Sequence, residues 1–531
     1  MVHQTLLFCL SLLLAVSVLV MLGQRLRIPT PIFLVLSGLA ISLIPGIPRI
    51  AIDPDLIFLI FLPPLLYEAA WSMSWKEFWR WRRIITVLAF GLVILTALAV
   101  AYVSSAFIPG FTLALGFLLG GIVSPPDAVA ATSVLRNVNI SKSTVSILEG
   151  ESLINDASSL LIFRFALAAV ASGTFVWQTA AVDFLLVTFL GVLTGLAVAG
   201  VFYAIHRWLP TSTSISVLMT FIAPYTMYLT AEEFKVSGVM AVVSGGLFMA
   251  KQSHRIFNHS ERIQSASMWS TVAFAFNGLV FILIGLELPV IINGLGDYSK
   301  GQAIAYGLTV TATLIVSRML FAFCSAAFTQ FIGQYITVAV RNVGYRGPIV
   351  LGWTGMRGVV SLASALSVPL VLDTGEPFPH RNLILFITFV VILVTLVVQG
   401  LTLPMVIRWV DFKDPISRLP DEEQQTRIRL KLTKAALHHL QDKYADELTA
   451  NEFVKSMKEQ METTFYQTKR HLKLEDGEAL AQYQQIRAEL IVVKRDELQR
   501  LSRQQEFDDD VIRAEEARMD LEEEKSSRPT H

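Results

Sequence analysis

The sequence predicts an all-α membrane protein with 13 transmembrane helices, built as two inverted six-helix repeats that each contain a broken helix, followed by a cytoplasmic helical tail. Three observations predict it: a succession of long apolar runs, a lopsided distribution of basic residues between alternate loops, and two interrupted runs seven spans apart.

Formal neutrality over the 531 residues is a cancellation. Residues 1–410 hold 22 Lys and Arg against 16 Asp and Glu, net +6, whereas residues 411–531 hold 21 against 27, net −6. The first part is too apolar to remain soluble, so the chain divides into a transmembrane domain, 1–410, and a charged helical domain, 411–531. A soluble enzyme is excluded, and no nucleic acid partner is expected.

Each crossing needs about 20 residues. Apolar runs fall near 4–22, 29–47, 53–72, 84–105, 110–134, 144–170, 179–205, 212–230, 235–250, 268–290, 302–333, 347–371 and 381–408. The first lacks the basic leader and small-residue cleavage site of a secretory signal, and Arg25 and Arg27 follow it. It therefore reads as a first membrane helix with an outside amino terminus. Cys9 and Cys324 both lie in apolar runs and read as small buried hydrophobes, not as a disulfide or a metal site.

Loops after odd-numbered spans contain Arg25, Arg27, Lys76, Arg80, Arg82, Arg83, Arg136, Lys142, Arg207, Lys251, Arg255, Arg262, Arg341, Arg346, Arg408 and Lys413. Loops after even-numbered spans contain only Arg49, Lys235, Lys300 and Arg381. Sixteen against four fixes the amino terminus outside and the tail in the cytoplasm. Arg164, Arg318 and Arg357 are left within or near the ends of spans.

Span five contains Gly120-Gly121-Ile122-Val123-Ser124-Pro125-Pro126-Asp127, and span twelve contains Gly347-Pro348 and Gly352-Trp353-Thr354-Gly355-Met356-Arg357-Gly358. Adjacent prolines remove amide donors and clash with the preceding turn, so they are expected to stop a helix. The odd offset of seven reverses direction across the membrane, as two inverted repeats, spans 1–6 and 8–13 linked by span 7, require. Broken segments at matching places in the two halves point to a midplane binding site.

Span six carries Glu149-Gly150-Glu151-Ser152-Leu153-Ile154-Asn155-Asp156, three carboxylates in a segment that crosses the bilayer. Charges at that depth survive mainly where they pair or line an ion pathway. Asp156 is the expected carrier of ion and proton, with the neutral amide of Asn155 beside it. Ser152 lies one turn away on the same face, where its hydroxyl and the Asp156 carboxylate face one cation. Glu151 projects about 140° away from Asp156 and has a different task. Its expected partner is Arg318, whose guanidinium cannot shed its proton to escape the membrane. Asp127, directly after the proline break, either binds the cation or neutralises the free amides of the broken helix. Arg357 anchors the second broken segment or sits near Asp127. Glu68, at the end of Phe61-Leu62-Pro63-Pro64-Leu65-Leu66-Tyr67-Glu68, is a further cation ligand or an interfacial residue. Arg164 reads as a snorkelling residue near a span end.

Carboxylate, hydroxyl and carbonyl oxygens suit sodium, lithium or potassium, and nothing gathers the sulfur or imidazole ligands of zinc or copper. No Gly-rich loop with a Lys supplies nucleotide energy. No cofactor is called for: the expected partners are a monovalent cation, the proton and the lipid bilayer.

The motifs Phe61–Glu68, Ser124–Ala130, Glu149–Asp156 and Gly352–Gly358 together resemble the monovalent cation/proton antiporter family, in its branch of sodium/proton exchangers of the NhaP and NHE type. The resemblance spans roughly residues 10–410. It implies sodium/proton antiport, crossing broken helices, a homodimer, and an elevator-like motion of a core domain against a dimerisation domain. It implies further that Asp156 binds the ion, with Ser152 and Glu68 as supporting ligands. By the same match Glu151 and Arg318 form the core salt bridge, and Asp127 and Arg357 stabilise the crossing. The Asn155-Asp156 pair is similar to that of the electroneutral branch, one proton for each sodium ion. Many relatives have threonine where this chain has Pro126, so the side-chain hydroxyl is lost and the backbone carbonyl is the remaining ligand. Potassium/proton exchange is the rival within transport, and a cation channel or sensor on the same fold is the rival of another class. Compact loops suggest a bacterial cytoplasmic membrane.

In the tail, residues 423–447 and 480–524 read as helical, with Ile428, Leu432, Ala436 and Leu440 on one face of the first. The second contains Ile486, Leu490, Val493 and Leu501 and ends in Asp508-Asp509-Asp510 and Glu522-Glu523-Glu524. The tail is expected to regulate exchange in response to pH, a nucleotide or a partner, or to be a solvated appendage that aids dimerisation. Its ligand is not legible.

Overall fold

A computed structural model of the chain describes residues 2–26, 28–44, 54–135, 142–173, 177–210, 212–295, 298–332, 344–372, 375–410 and 421–471. It also describes 138, 140, 334, 486, 490–498, 500, 501, 515 and 519. Contacts divide the chain into two compact units, Met1–Ile416 and Ser417–His531.

Among the described residues the first unit is built of helices, with one isolated antiparallel bridge between Val371 and Pro377. Its elements are α1 (Val2–Leu26), α2 (Thr30–Ser42), α3 (Pro54–Ser72), α4 (Trp75–Thr86), α5 (Val93–Phe107), α6 (Leu113–Val123), α7 (Ala128–Leu135), α8 (Lys142–Ser172) and α9 (Trp177–Trp208). They continue with α10 (Thr213–Glu233), α11 (Gly238–Ile256), α12 (His259–Leu286), α13 (Leu288–Asn293), α14 (Lys300–Ile332), α15 (Arg346–Trp353), α16 (Val359–Leu366), α17 (Arg381–Val394) and α18 (Gly400–Val410). A π turn, Val87–Leu92, joins α4 to α5, and a second, Thr395–Gln399, joins α17 to α18.

Eight helical stretches among the described residues are long and apolar enough to cross a bilayer, against the thirteen expected. Each of the other five expected runs holds a helix that falls short for a visible reason. Leu10–Leu26 and Thr30–Ser42 are shorter apolar helices, α11 ends in His254 and Arg255, and span twelve is two helices of eight residues. In α3 the side chains of residues 54–58 lie outside the described set.

Two apolar cores organise this unit. The larger is built from α1, α2, α5 to α8 and α12 to α18; the other from α3 and α8 to α12. Helix α8 belongs to both, through Leu148, Phe163 and Ala166 on one side and Leu153, Ala157 and Leu160 on the other. Whatever α8 carries is therefore held between two packed bodies. Helices α2 and α12 touch backbone to backbone: a side chain on Gly38 would strike the Ile282 carbonyl, and one on Gly285 would strike the Val35 carbonyl.

Two expectations need correction: the general one that adjacent prolines stop a helix, and the burial of Cys324. Prolines 63 and 64 do not stop α3, which runs through both. The carbonyl of Ile60, which loses its amide partner at Pro64, accepts the Tyr225 hydroxyl from α10 at 3.0 Å. Cys324 is exposed on the apolar surface of α14 instead of buried; the Cys9 side chain lies outside the described residues. Of the basic residues that set the orientation, Arg27, Arg49, Arg136, Arg341 and Lys413 also lie outside them.

The second unit contains α19 (Asp421–Lys443), α20 (Ala445–Ala450) and α21 (Glu452–His471), with α19 packed on α21. The face expected to be buried on α19 is mostly open: Ile428 and Leu432 are exposed and only Leu440 is buried. Helix α21 falls where the apolar pattern gave no signal. In the 480–524 stretch the described residues are helical, with Leu498 and Met519 buried together beside Leu501. The acidic runs 508–510 and 522–524 lie outside the described residues.

Candidate ion-binding site

The predicted breaks in spans five and twelve are real gaps, Ser124–Asp127 between α6 and α7 and Thr354–Gly358 between α15 and α16. Each gap satisfies the backbone groups of the other. The Asp127 amide donates to the Met356 carbonyl at 2.7 Å. Nε of Arg357 donates to the Val123 carbonyl at the end of α6, at 2.6 Å. A second guanidinium nitrogen of Arg357 donates to the Gly355 carbonyl at 2.9 Å, and its amide donates to Thr395 Oγ1, in the second π turn, at 3.1 Å. Arg357 is buried, so its charge is spent on carbonyl oxygens that the gaps expose.

Asp127 caps α7. Its Oδ1 accepts the amides of Val129 at 2.8 Å and Ala130 at 3.3 Å, and its charge faces the positive end of that helix. Its Oδ2 lies against Gly358, where any Cβ would overlap it. Glycine is required there by close approach.

Helix α8 presents its polar stretch to the first gap. The Ser152 hydroxyl donates to the Pro126 carbonyl at 3.3 Å and accepts the Ala128 amide at 3.1 Å. Asn155 Nδ2 donates to the same Pro126 carbonyl at 3.5 Å, and its Oδ1 is buried without a hydrogen bond among the described residues. Asp156, one residue on, is buried, and its carboxylate makes no hydrogen bond among the described residues. Ser158 ties the helix on its far side by donating to the Ala89 carbonyl, in the first π turn, at 2.6 Å.

The guanidinium of Arg318 on α14 grips Glu151 with two bonds, 2.5 and 3.0 Å, and its Nε donates to the Leu351 carbonyl of α15 at 3.1 Å. Both side chains are almost fully buried, at 3% and 1% exposure. The pair therefore joins α8, α14 and α15. Glu68 is half-buried on α3, which packs beside α8, and Glu149 is exposed.

The structure thus gathers Ser152, Asn155, Pro126, Asp127 and Arg357 at one crossing, with the Glu151–Arg318 pair next to it on α8. Two contributors were missed. Thr395 gave no sign, since a hydroxyl in a membrane helix ordinarily bonds its own backbone, as Thr395 also does to Val391 at 2.8 Å. Arg164 is paired with Glu232 of α10 at 2.7 Å instead of standing alone.

Two broken helices that complete each other's backbone beside a buried carboxylate, in an all-helical membrane fold, define an ion-coupled secondary transporter. The chain belongs to the sodium/hydrogen exchanger family, whose transmembrane region it matches over residues 11–409. It exchanges sodium, or another monovalent cation, for protons across the membrane in which it is a multi-pass protein, as a secondary active transporter and not a catalytic enzyme. An uncharacterised Na(+)/H(+) exchanger of Mycobacterium tuberculosis (strain ATCC 25618 / H37Rv) is 32% identical over 527 residues, which is 97% of this chain and 94% of that protein. A sodium, potassium, lithium and rubidium/H(+) antiporter of Bacillus subtilis (strain 168) is 34% identical over 390 residues, 71% of this chain and 58% of that protein. Among solved structures, the sodium proton antiporter MjNhaP1 of Methanocaldococcus jannaschii at pH 8 shares the fold, with a TM-score of 0.62 at 18% identity over 78% of this chain and 100% of that one.

Proposed function

We propose that this protein exchanges one sodium ion, or lithium, for one proton at Asp156, by alternating access and without net charge movement. The observation that carries this reading is the state of the Asp156 carboxylate: buried, yet without a hydrogen bond among the described residues, while its neighbours Ser152 and Asn155 are engaged with the gap. A carboxylate spent on structure would be tied up like Glu151. Asp156 with the Ser152 hydroxyl, the Pro126 carbonyl and Glu68 supplies the oxygen ligands a hard cation prefers. Asn155, Asp127, Glu151, Arg318 and Arg357 support them. Asn155 holds no second proton, which sets the stoichiometry at one for one.

The empty, charged site crosses poorly because desolvating a lone carboxylate is costly, whereas a site holding a proton or a cation moves. Competition for one site then couples the two fluxes. The same reading takes the five shorter or broken stretches as crossings too, giving thirteen spans in two inverted repeats with crossing broken helices. It places the amino terminus outside, the 411–531 domain in the cytoplasm, and the chain in the cell membrane as a homodimer whose core moves against its dimerisation domain. The tail is proposed as the regulatory element.

A second reading, potassium or mixed-cation exchange, is favoured by Pro126, which offers only a backbone oxygen, and by the cation range in the name of the Bacillus subtilis relative. The test is a trapped pH dye in proteoliposomes, with sodium, lithium or potassium added, with and without an imposed voltage. Voltage-insensitive dequenching by sodium that Asp156→Asn abolishes supports the proposal; full exchange by that variant, or a net current coupled to the cycle, overturns it.

A further inference from the structure

A cavity of about 460 Å³ opens between α8, α10 and α11, and the Arg164–Glu232 pair lies in its wall. Its lining on α8 includes Leu160, Phe163, Arg164 and Leu167. Ala157 and Leu161 line it too, so the cavity runs along α8 from the residue next to Asp156 to Leu167, on a broad face that takes in the positions 4, 7, 8 and 11 beyond Asp156. Leu160, one turn beyond Asp156, is buried and lines the cavity near that carboxylate.

The side of the membrane follows from charge. Helix α8 starts at Lys142 in a basic loop, and Arg164 lies 22 residues on, about 33 Å along the axis. Helix α10 likewise follows Arg207 and ends at Glu233, beside Glu232. Both partners therefore sit at the outer end of their helices.

Helix α8 carries two Arg–Glu pairs of opposite character. Glu151–Arg318 is sealed, whereas Arg164–Glu232 is 47% and 32% exposed, a single 2.7 Å contact within reach of water and ions. A permanent strut requires the first kind and a reversible closure the second. We propose that Arg164 and Glu232 form the outer gate of the exchange path: an arriving monovalent cation displaces Arg164 from Glu232, making Glu232 its first carboxylate, and passes through the cavity to Leu160 and Asp156. This rests on exchange at Asp156 and on an outside amino terminus.

The test reads access without requiring transport. Leu160→Cys is introduced into the full-length protein with Cys9 and Cys324 changed to serine, reconstituted in vesicles of known orientation, and labelled with a membrane-impermeant cationic methanethiosulfonate. Labelling is expected from the outer face, faster with sodium outside than with choline at equal ionic strength. Arg164→Gln should raise the outer rate about fivefold, the scale of an exposed pair, and remove its dependence on sodium. The exchanged pair Arg164→Glu with Glu232→Arg should restore slow labelling, which shows that the faster rate comes from the lost pairing and not from general loosening of the fold. Labelling from the cytoplasmic face alone, or an outer rate unmoved by Arg164→Gln, overturns the gate. Because Asp156→Asn in the same background should leave labelling intact, failure of the exchange site and failure of the gate give different results.

Discussion

The hydroxyl of Ser152 donates to the Pro126 carbonyl and accepts the Ala128 amide, so one side chain on α8 spans the gap between α6 and α7. The prolines that break span five free backbone groups which must find partners, and α8 brings one of those partners to the turn before Asp156. On the reading proposed above, cation ligands and fold determinants are the same atoms. Ser152→Ala should leave the protein folded, lower its stability in detergent by about 1–3 kcal/mol, and raise the apparent KM for sodium several-fold. Thermal melting and sodium titration of exchange in proteoliposomes check both.

The sealed Glu151–Arg318 pair should behave as a strut. Glu151→Gln leaves a guanidinium uncompensated at membrane depth and should cost about 3–5 kcal/mol, seen as a lower melting temperature and poor membrane yield. Replacing both partners by methionine should recover much of that loss, because neither charge is then stranded. A double variant no better than the single one would show that the charges themselves, and not their pairing, hold α8 to α14.

Gly358→Ala should be far more damaging than an exposed glycine change, since its new methyl group would occupy the space of the Asp127 carboxylate. Either Asp127 swings away from the amides that it caps on α7, or the two gaps separate. The expected outcome is loss of exchange with lowered stability. Gly200→Ala, whose Cβ would meet nothing within 4 Å, is the control that should retain activity.

Exchange at one carboxylate fixes the sign of the pH response. On the proposed reading a proton and a sodium ion exclude each other at Asp156, so the fraction loaded with sodium falls as pH falls. On the side where sodium binds, each unit of acidification should raise the apparent KM by up to about tenfold, while the rate at saturating sodium is unchanged. Initial rates against sodium at several pH values test this. A maximal rate that falls with an unchanged KM would point to separate sites for the two ions.

Much of the site was legible because its chemistry is costly. Prolines 125 and 126 and the glycines of the second gap announced breaks, and a guanidinium at Arg318 required a buried acid. What stayed hidden depended on distance in sequence or on backbone accepting more than one bond. Arg164 and Glu232 are 68 residues apart and partly exposed, so neither demanded the other. Pro63 and Pro64 lie in a run read as one span, and the Tyr225 hydroxyl that serves the carbonyl they free lies 165 residues from it. In the tail, α19 turns Ile428 and Leu432 outward, so periodicity alone did not say which face is covered.

The two π turns bear on how such a protein can vary. Each packs surplus backbone into a helix, and each hands one group to the site: the Ala89 carbonyl to Ser158, and the Thr395 hydroxyl to the Arg357 amide. Deleting a single residue from either stretch would relax it to ordinary pitch, leave the flanking turns nearly in phase, and close the wide turn that presents the donated group. The donated group would then point elsewhere, although no residue of the site had been altered. Across related sequences, these two helices should tolerate changes of side chain far better than changes of length.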